Sequence, residues 1–204
     1  VGVFRRSASI VVVIGFWLVA GVAAAAAAEP RYVGAGKCRI CHRKELIGNQ
    51  YGVWREGRHA QAFETLKGER ALEIAAEQGL EMPPHRADRC LRCHVTAHGE
   101  DPSKFAIRPL APEDGVQCES CHGPGSLYRK KKIMSDREKA VAAGLWEADE
   151  DDEICAACHN EDSPVVPEGG FDFAKLREGV QHPIPEDVKG RYLELEKQLK
   201  AELR

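Results

Sequence analysis

All eight cysteines of this 204-residue chain fall into one five-residue pattern. It reads Cys38-Arg39-Ile40-Cys41-His42, then Cys90-Leu91-Arg92-Cys93-His94, then Cys118-Glu119-Ser120-Cys121-His122, and last Cys155-Ala156-Ala157-Cys158-His159. Two residues between the cysteines make a turn that aims both sulfurs at one edge of a rigid ring. There they can add to vinyl groups on neighbouring pyrroles. A histidine directly after the second cysteine sits under the metal of that ring and supplies an imidazole. This is the attachment pattern of c-type haem. The pattern thus implies four covalently bound haems. Each motif gives two cysteines for attachment, and His42, His94, His122 and His159 give the proximal iron ligands.

Two other chemistries use paired cysteines. Zinc can be held by two such pairs, but it needs no histidine after each one. Disulfides suit an exported protein, but a bridge inside each pair would close only a tiny loop. Haem attachment explains the histidines as well as the spacing.

Four histidines lie outside the motifs: His59, His85, His98 and His182. They are the candidate second ligands. Two imidazoles make a six-coordinate, low-spin iron at a lower potential than a His/Met iron, because a thioether raises the potential. Methionine is nearly absent, with only Met82 and Met134, so the irons are expected to be mostly bis-histidine. His98 follows His94 by four residues. If that stretch is helical, both lie on one face, and His98 must serve a neighbouring haem or none. His85 follows Met82-Pro83-Pro84, where a helix does not run easily. It is either a ligand or an exposed loop residue. His59 lies within a helical pattern, and His182 precedes Pro183 after a helix-like run.

The elements that position these groups read as mainly α. Arg43 to Leu66 and Glu69 to Gln78 carry good helix formers. Residues 99 to 115, the Gly123-Pro124-Gly125-Ser126 stretch and the segment from Pro164 to Gly170 read as loops and turns. No alternating run is long enough for a strand. The gaps between motifs are unequal, so there is no simple tandem repeat. Aromatic residues are 6% of the chain, and large aliphatics are thin after residue 30. A core built from side chains alone would be small, which fits helices and loops wrapped around four packed haems.

The ends read differently. Arg5 and Arg6, an apolar stretch from Ala8 to Val22 and the alanine run to Ala28 have the layout of a secretory signal peptide over 1–28. The segment is also just long enough to anchor in a bilayer if it stays uncleaved. The tetrahaem domain is then 29–184, in an exported, periplasmic protein that meets a membrane only through an uncleaved leader. Residues 185–204 read as an amphipathic helix, with Val188, Tyr192, Leu195, Leu199 and Leu203 on one face. The net charge is −3, and it becomes two charges more negative without Arg5 and Arg6. That excludes the strongly basic footprint of a nucleic-acid binder. A basic run, Arg129 to Lys132, and an acidic run, Glu147 to Glu153, lie ahead of the last motif. Either they are solvated faces or they steer redox partner proteins.

Three stretches resemble the cytochrome c-554 family of tetrahaem cytochromes: residues 32–37, residues 58–66, and Gly115 to Ser126 around the third motif. The resemblance implies a helical fold around four closely packed haems and an electron-transfer function. Three haems would carry two histidines, with His59 and His182 at distal-ligand positions. The haem on Cys90, Cys93 and His94 would be five-coordinate. One departure stands out. The family has a further distal histidine shortly after the Gly-Pro-Gly turn, where this chain has Leu127 and Tyr128. Either His85 or His98 takes that role, or another haem is open. The expected function is electron transfer between redox partners, and an enzyme role is left undecided. The alternative is a small redox enzyme acting on a nitrogen oxide at one five-coordinate haem.

Overall fold

The computed structural model describes residues 28–148, 151–188 and 190. The expected leader up to residue 27 and most of the expected C-terminal helix lie outside the described residues, as do Asp149 and Glu150 of the acidic run.

Among the described residues the fold is helical, and the helices are short. In chain order they are α1 (Ala35–His42), α2 (Gln50–Glu56), α3 (Ala62–Thr65), α4 (Glu69–Glu77), α5 (Asp88–His94), α6 (Cys118–His122), α7 (Lys131–Met134), α8 (Arg137–Ala142), α9 (Asp152–Ala156) and α10 (Phe173–Glu178). Single 3-10 turns fill several joints. The sole strand-like pairing described is an isolated parallel bridge between Tyr32 and Phe105. Its bonds run from the Tyr32 N–H to the Lys104 carbonyl (2.8 Å) and from the Ala106 N–H to the Tyr32 carbonyl (2.9 Å).

The expected helix over 43–66 is broken into pieces. Gly48 takes φ +100 and ends a 3-10 turn, and Gly57 is extended. Good helix formers raise propensity only weakly, and glycines placed to accept other conformations override it. Glu69–Glu77 forms a helix as its sequence predicts. Beyond α5, Val95 is extended and Ala97 takes a positive φ of 56. His98 is therefore not on a helical face with His94.

The polypeptide core is small. Phe63, Leu66, Leu91 and Val95 form one buried cluster joining α3 to α5, with Cys90 packed against it. Of the other buried apolar residues, four are alanines: Ala35, Ala75, Ala87 and Ala140. Alanine removes little apolar surface from water, so these positions contribute little hydrophobic stabilisation. Much of what holds the chain together is therefore polar.

The clearest case is the start of α1. Its N-cap residue, Gly34, has no side chain to cap the helix. The third motif supplies the cap from a distance. The Glu119 carboxylate accepts from the N–H groups of Val33 (2.9 Å) and Gly34 (2.7 Å), and Gln117 Oε1 accepts from Ala35 N–H (2.7 Å). Glu119 also accepts from Gly125 N–H at 2.6 Å. These amides are the orphan donors of a helix N-terminus and a tight turn, and a buried carboxylate satisfies them together. One side chain thus fixes the first attachment helix against the third.

Candidate functional site

Each attachment motif sits at or just after the C-terminal end of a short helix. α1, α5 and α6 end on His42, His94 and His122. The fourth motif begins in α9 and continues through a turn to His159. No disulfide joins any of the eight cysteines. No three His, Cys, Asp or Glu side chains converge as a zinc site would need, among the described residues.

The thiols lie side by side across motifs. Cys38 and Cys118 share a hydrogen bond that pushes Cys38 far up and Cys118 down. Burial pushes Cys121 up to about 11, with Cys155 and then Cys118 adding to it. Burial also pushes Cys158 up to about 12, with the neighbouring Cys93 thiol next in size. The adjacencies therefore run from the first motif to the third, the third to the fourth, and the fourth to the second. Seven of the thiols are half-buried, and Cys41 alone is exposed.

Two of the motif histidines, His42 and His94, are oriented as an iron ligand would be. A ligating imidazole coordinates through one nitrogen and donates the other N–H to a carbonyl or similar acceptor. His94 Nδ1 lies 2.6 Å from the Ala62 carbonyl. His42 Nδ1 lies 3.1 Å from Gln50 Oε1. Both arrangements leave Nε2 for a metal. Gln50 is itself buried, and its amide nitrogen lies 3.5 Å from the Pro183 carbonyl. Replacing Gln50 with Leu should leave the His42 N–H unsatisfied. A haem held by the first motif should then shift in potential, read by potentiometric titration.

Two of the four spare histidines meet a motif histidine. His59 faces His159 with ring centres 6.2 Å apart and planes at 51°. His182 faces His122 at 5.9 Å and 89°. Two imidazoles on opposite sides of one metal ion, each at about 2.0 Å, have ring centres about 6 Å apart. Both pairs fit an iron between them. Burial lowers the pKa of His59, with His159 adding to it, and burial lowers that of His159 as well. That favours the neutral imidazole, the form that binds metal. His182 Nδ1 lies 2.7 Å from the Val180 carbonyl, which leaves Nε2 for a metal. Phe171 packs edge-on against His159 at 5.2 Å.

His85 and His98 meet no second imidazole. His85 lies in the 3-10 turn Pro84–Arg86, packed against α4 and α5. His98 Nε2 is held 2.9 Å from Asp88 Oδ1, on the helix that carries the second motif.

Close backbone approach at glycine positions both His59 and His182. Gly115 has φ +62, and a Cβ there would lie 2.6 Å from the His59 carbonyl oxygen. Val116 N–H donates to the same oxygen at 2.9 Å. At Gly48 a Cβ would lie 2.7 Å from the Pro183 carbonyl oxygen, beside His182. Gly115→Ala should cost about 2 kcal/mol in strain and displace His59. An iron held between His59 and His159 should then change its electron paramagnetic resonance signal, with one held between His122 and His182 unaltered. Sequence reading missed Gln50, Glu119 and these glycines. The stretch from Gly115 to Ser126 was the one signal that could have pointed to Glu119.

Four attachment motifs on short helices, with imidazoles paired across them, define a c-type cytochrome of the multihaem class. Within that class the chain is most readily compared with the cytochrome c-554 family, to which it is similar over part of its length. The family model for cytochrome c554 and c-prime matches residues 37–123. Cytochrome c-554 of Nitrosomonas europaea is 31% identical over 146 residues, covering 65% of this chain and 59% of that protein. The multiheme cytochrome MtrA of Shewanella baltica is 31% identical over 96 residues, 40% of this chain and 26% of that protein. The chain therefore spans less than two thirds of the length of either relative. The solved structure of reduced cytochrome c554 from Nitrosomonas europaea superposes with a TM-score of 0.57 at 26% identity. It covers 77% of this chain and 86% of the other. The chain thus carries covalently bound haem c. No described helix is long and apolar enough to cross a membrane.

Proposed function

We propose that the chain binds four haem c groups and relays single electrons between redox proteins. The observation that carries this reading is the pair of facing imidazoles, His59 with His159 and His122 with His182, each at the spacing of two ligands on one metal. Haem c supplies a one-electron iron couple when bound, at a potential set by its ligands and burial. The chain's own residues do the rest. Each cysteine pair fixes one ring edge. Ala62 and Gln50 hold the orientation of His94 and His42. Histidine on both sides keeps the third and fourth irons six-coordinate, so little moves when an electron arrives or leaves. The thiol adjacencies string the four sites in the order first, third, fourth, second. His94 has no second imidazole, in keeping with the five-coordinate second haem that the family resemblance implies.

The protein works in the periplasm, freed from its leader or tethered by it. Its donor and acceptor are redox proteins guided by charge. The exposed basic run Arg129 to Lys132 is one surface suited to an acidic partner. Electron-transfer complexes of this kind are small and transient, and charge steers them. Potentiometric titration tests the reading. Reversible uptake of four electrons by each chain is the expected result. Uptake of fewer would overturn it.

A second reading rests on His94. An iron held there without a second protein ligand could reduce or oxidise a small nitrogen oxide, fed by electrons from the other sites. Steady turnover of nitric oxide with a chemical reductant would favour it. Ligand binding without turnover would leave the carrier reading standing.

A further inference from the structure

We propose that His42 also holds its iron without a second protein ligand, which makes the first haem a binding site for a small uncharged diatomic molecule. The proposal rests on the four-haem reading above. It departs from the single open haem that the family resemblance implies.

All eight histidines are among the described residues, so the ligand supply can be followed one residue at a time. His59 and His182 are taken by His159 and His122. His85 sits in a turn packed on α4 and α5, its Nδ1 buried without a hydrogen-bond partner. His98 is engaged by Asp88 at 2.9 Å, also at α5. Both remaining histidines therefore belong to the neighbourhood of the second motif. Met82 is in the same region and 51% exposed. Met134 lies in α7, which packs chiefly on α8. Nor does the segment after the Gly-Pro-Gly turn supply a ligand. Tyr128 is buried there, and its hydroxyl donates to the Gly123 carbonyl at 2.7 Å.

The placement gives this site a role. The first and second motifs are the two ends of the series of adjacent thiols. Cys41 of the first motif is the exposed cysteine. The two imidazole pairs occupy the interior of the series. The molecule is then a low-spin relay between two ligand-accessible irons, one at each end. Binding of a neutral diatomic to ferrous iron moves no electron and needs no co-reactant.

The test is a carbon monoxide titration of the dithionite-reduced holoprotein, followed in the Soret band, on the wild type and on His59→Ala and His182→Ala. The wild type should bind two molecules of carbon monoxide per chain, and each variant three. One molecule or none in the wild type overturns the proposal but leaves the carrier reading intact. A variant that stays at two also overturns it. That iron was then already open, and the corresponding imidazole pair falls with it. Where a variant does not mature, the oxidised wild type decides. High-spin ferric signal from about half of the iron is expected, and from a quarter or less contradicts.

Discussion

His182→Ala should convert the iron on His122 from low-spin to high-spin, and His59→Ala should do the same to the iron on His159. Each substitution removes one imidazole from a facing pair and leaves the proximal ligand in place. Low-spin ferric intensity should fall by about half in either variant, because two such irons are expected in the wild type. The two variants should also differ in kind. The His122 and His182 planes stand at 89°, and the His59 and His159 planes at 51°. Near-perpendicular imidazoles leave the two iron orbitals that they stabilise close in energy, which makes the ferric signal more anisotropic. His182→Ala should therefore remove the broader, higher-g feature and His59→Ala the narrower one. The potential of the altered iron should rise in both, because a strong donor stabilising the ferric state has gone. Unchanged low-spin intensity in both variants would show that neither pair binds iron.

The second large effect is on stability. Glu119→Ala should cost about 3 kcal/mol, because three amide donors, one buried and two half-buried, lose their acceptor at once. Urea unfolding of the holoprotein would measure it, and a loss below about 0.5 kcal/mol would contradict the account. Glu119→Gln should also destabilise. Its amide keeps one acceptor oxygen but turns an NH2 group toward backbone donors. The pH dependence carries a definite sign. Burial pushes the Glu119 carboxyl above its ordinary value of 4.5, against the backbone amides of Gly125, Gly34 and Val33 and the charge of Arg129. The folded chain then binds this proton more tightly than the unfolded chain does. Its contribution is fully present below the unfolded value and is lost as pH rises through the raised one. Unfolding series on the wild type and Glu119→Gln, compared across that window, should show the wild type losing stability relative to the variant as pH rises.

The chemistry of this protein is legible in its sequence because covalent haem attachment demands fixed residue types at fixed, local spacing. Cys38 to His42 and its three counterparts can be read from five letters each. The helical class is legible for the same local reason, and so is α4, whose formers are uninterrupted from Glu69 to Glu77. The breaks at Gly48 and Gly57 are less so. They are set by what the chain meets in space, such as the Pro183 carbonyl beside Gly48. The pairing of distal histidines lies further out of reach. His59 meets His159 and His182 meets His122 across long stretches of chain, and nothing local to any of these residues names its partner. Glu119 was hidden in a similar way. Within the third motif it looks like a spacer residue, and its role appears only once Val33, Gly34 and Gly125 are brought to it.

Each of the four motifs is expected to carry a haem. Peptic digestion of the purified holoprotein, followed by mass spectrometry of the fragments containing Cys38–Cys41, Cys90–Cys93, Cys118–Cys121 and Cys155–Cys158, tests it most directly. One haem bound through thioether bonds is expected on every fragment. A fragment recovered with two free thiols, or with its cysteines joined as a disulfide, would contradict it.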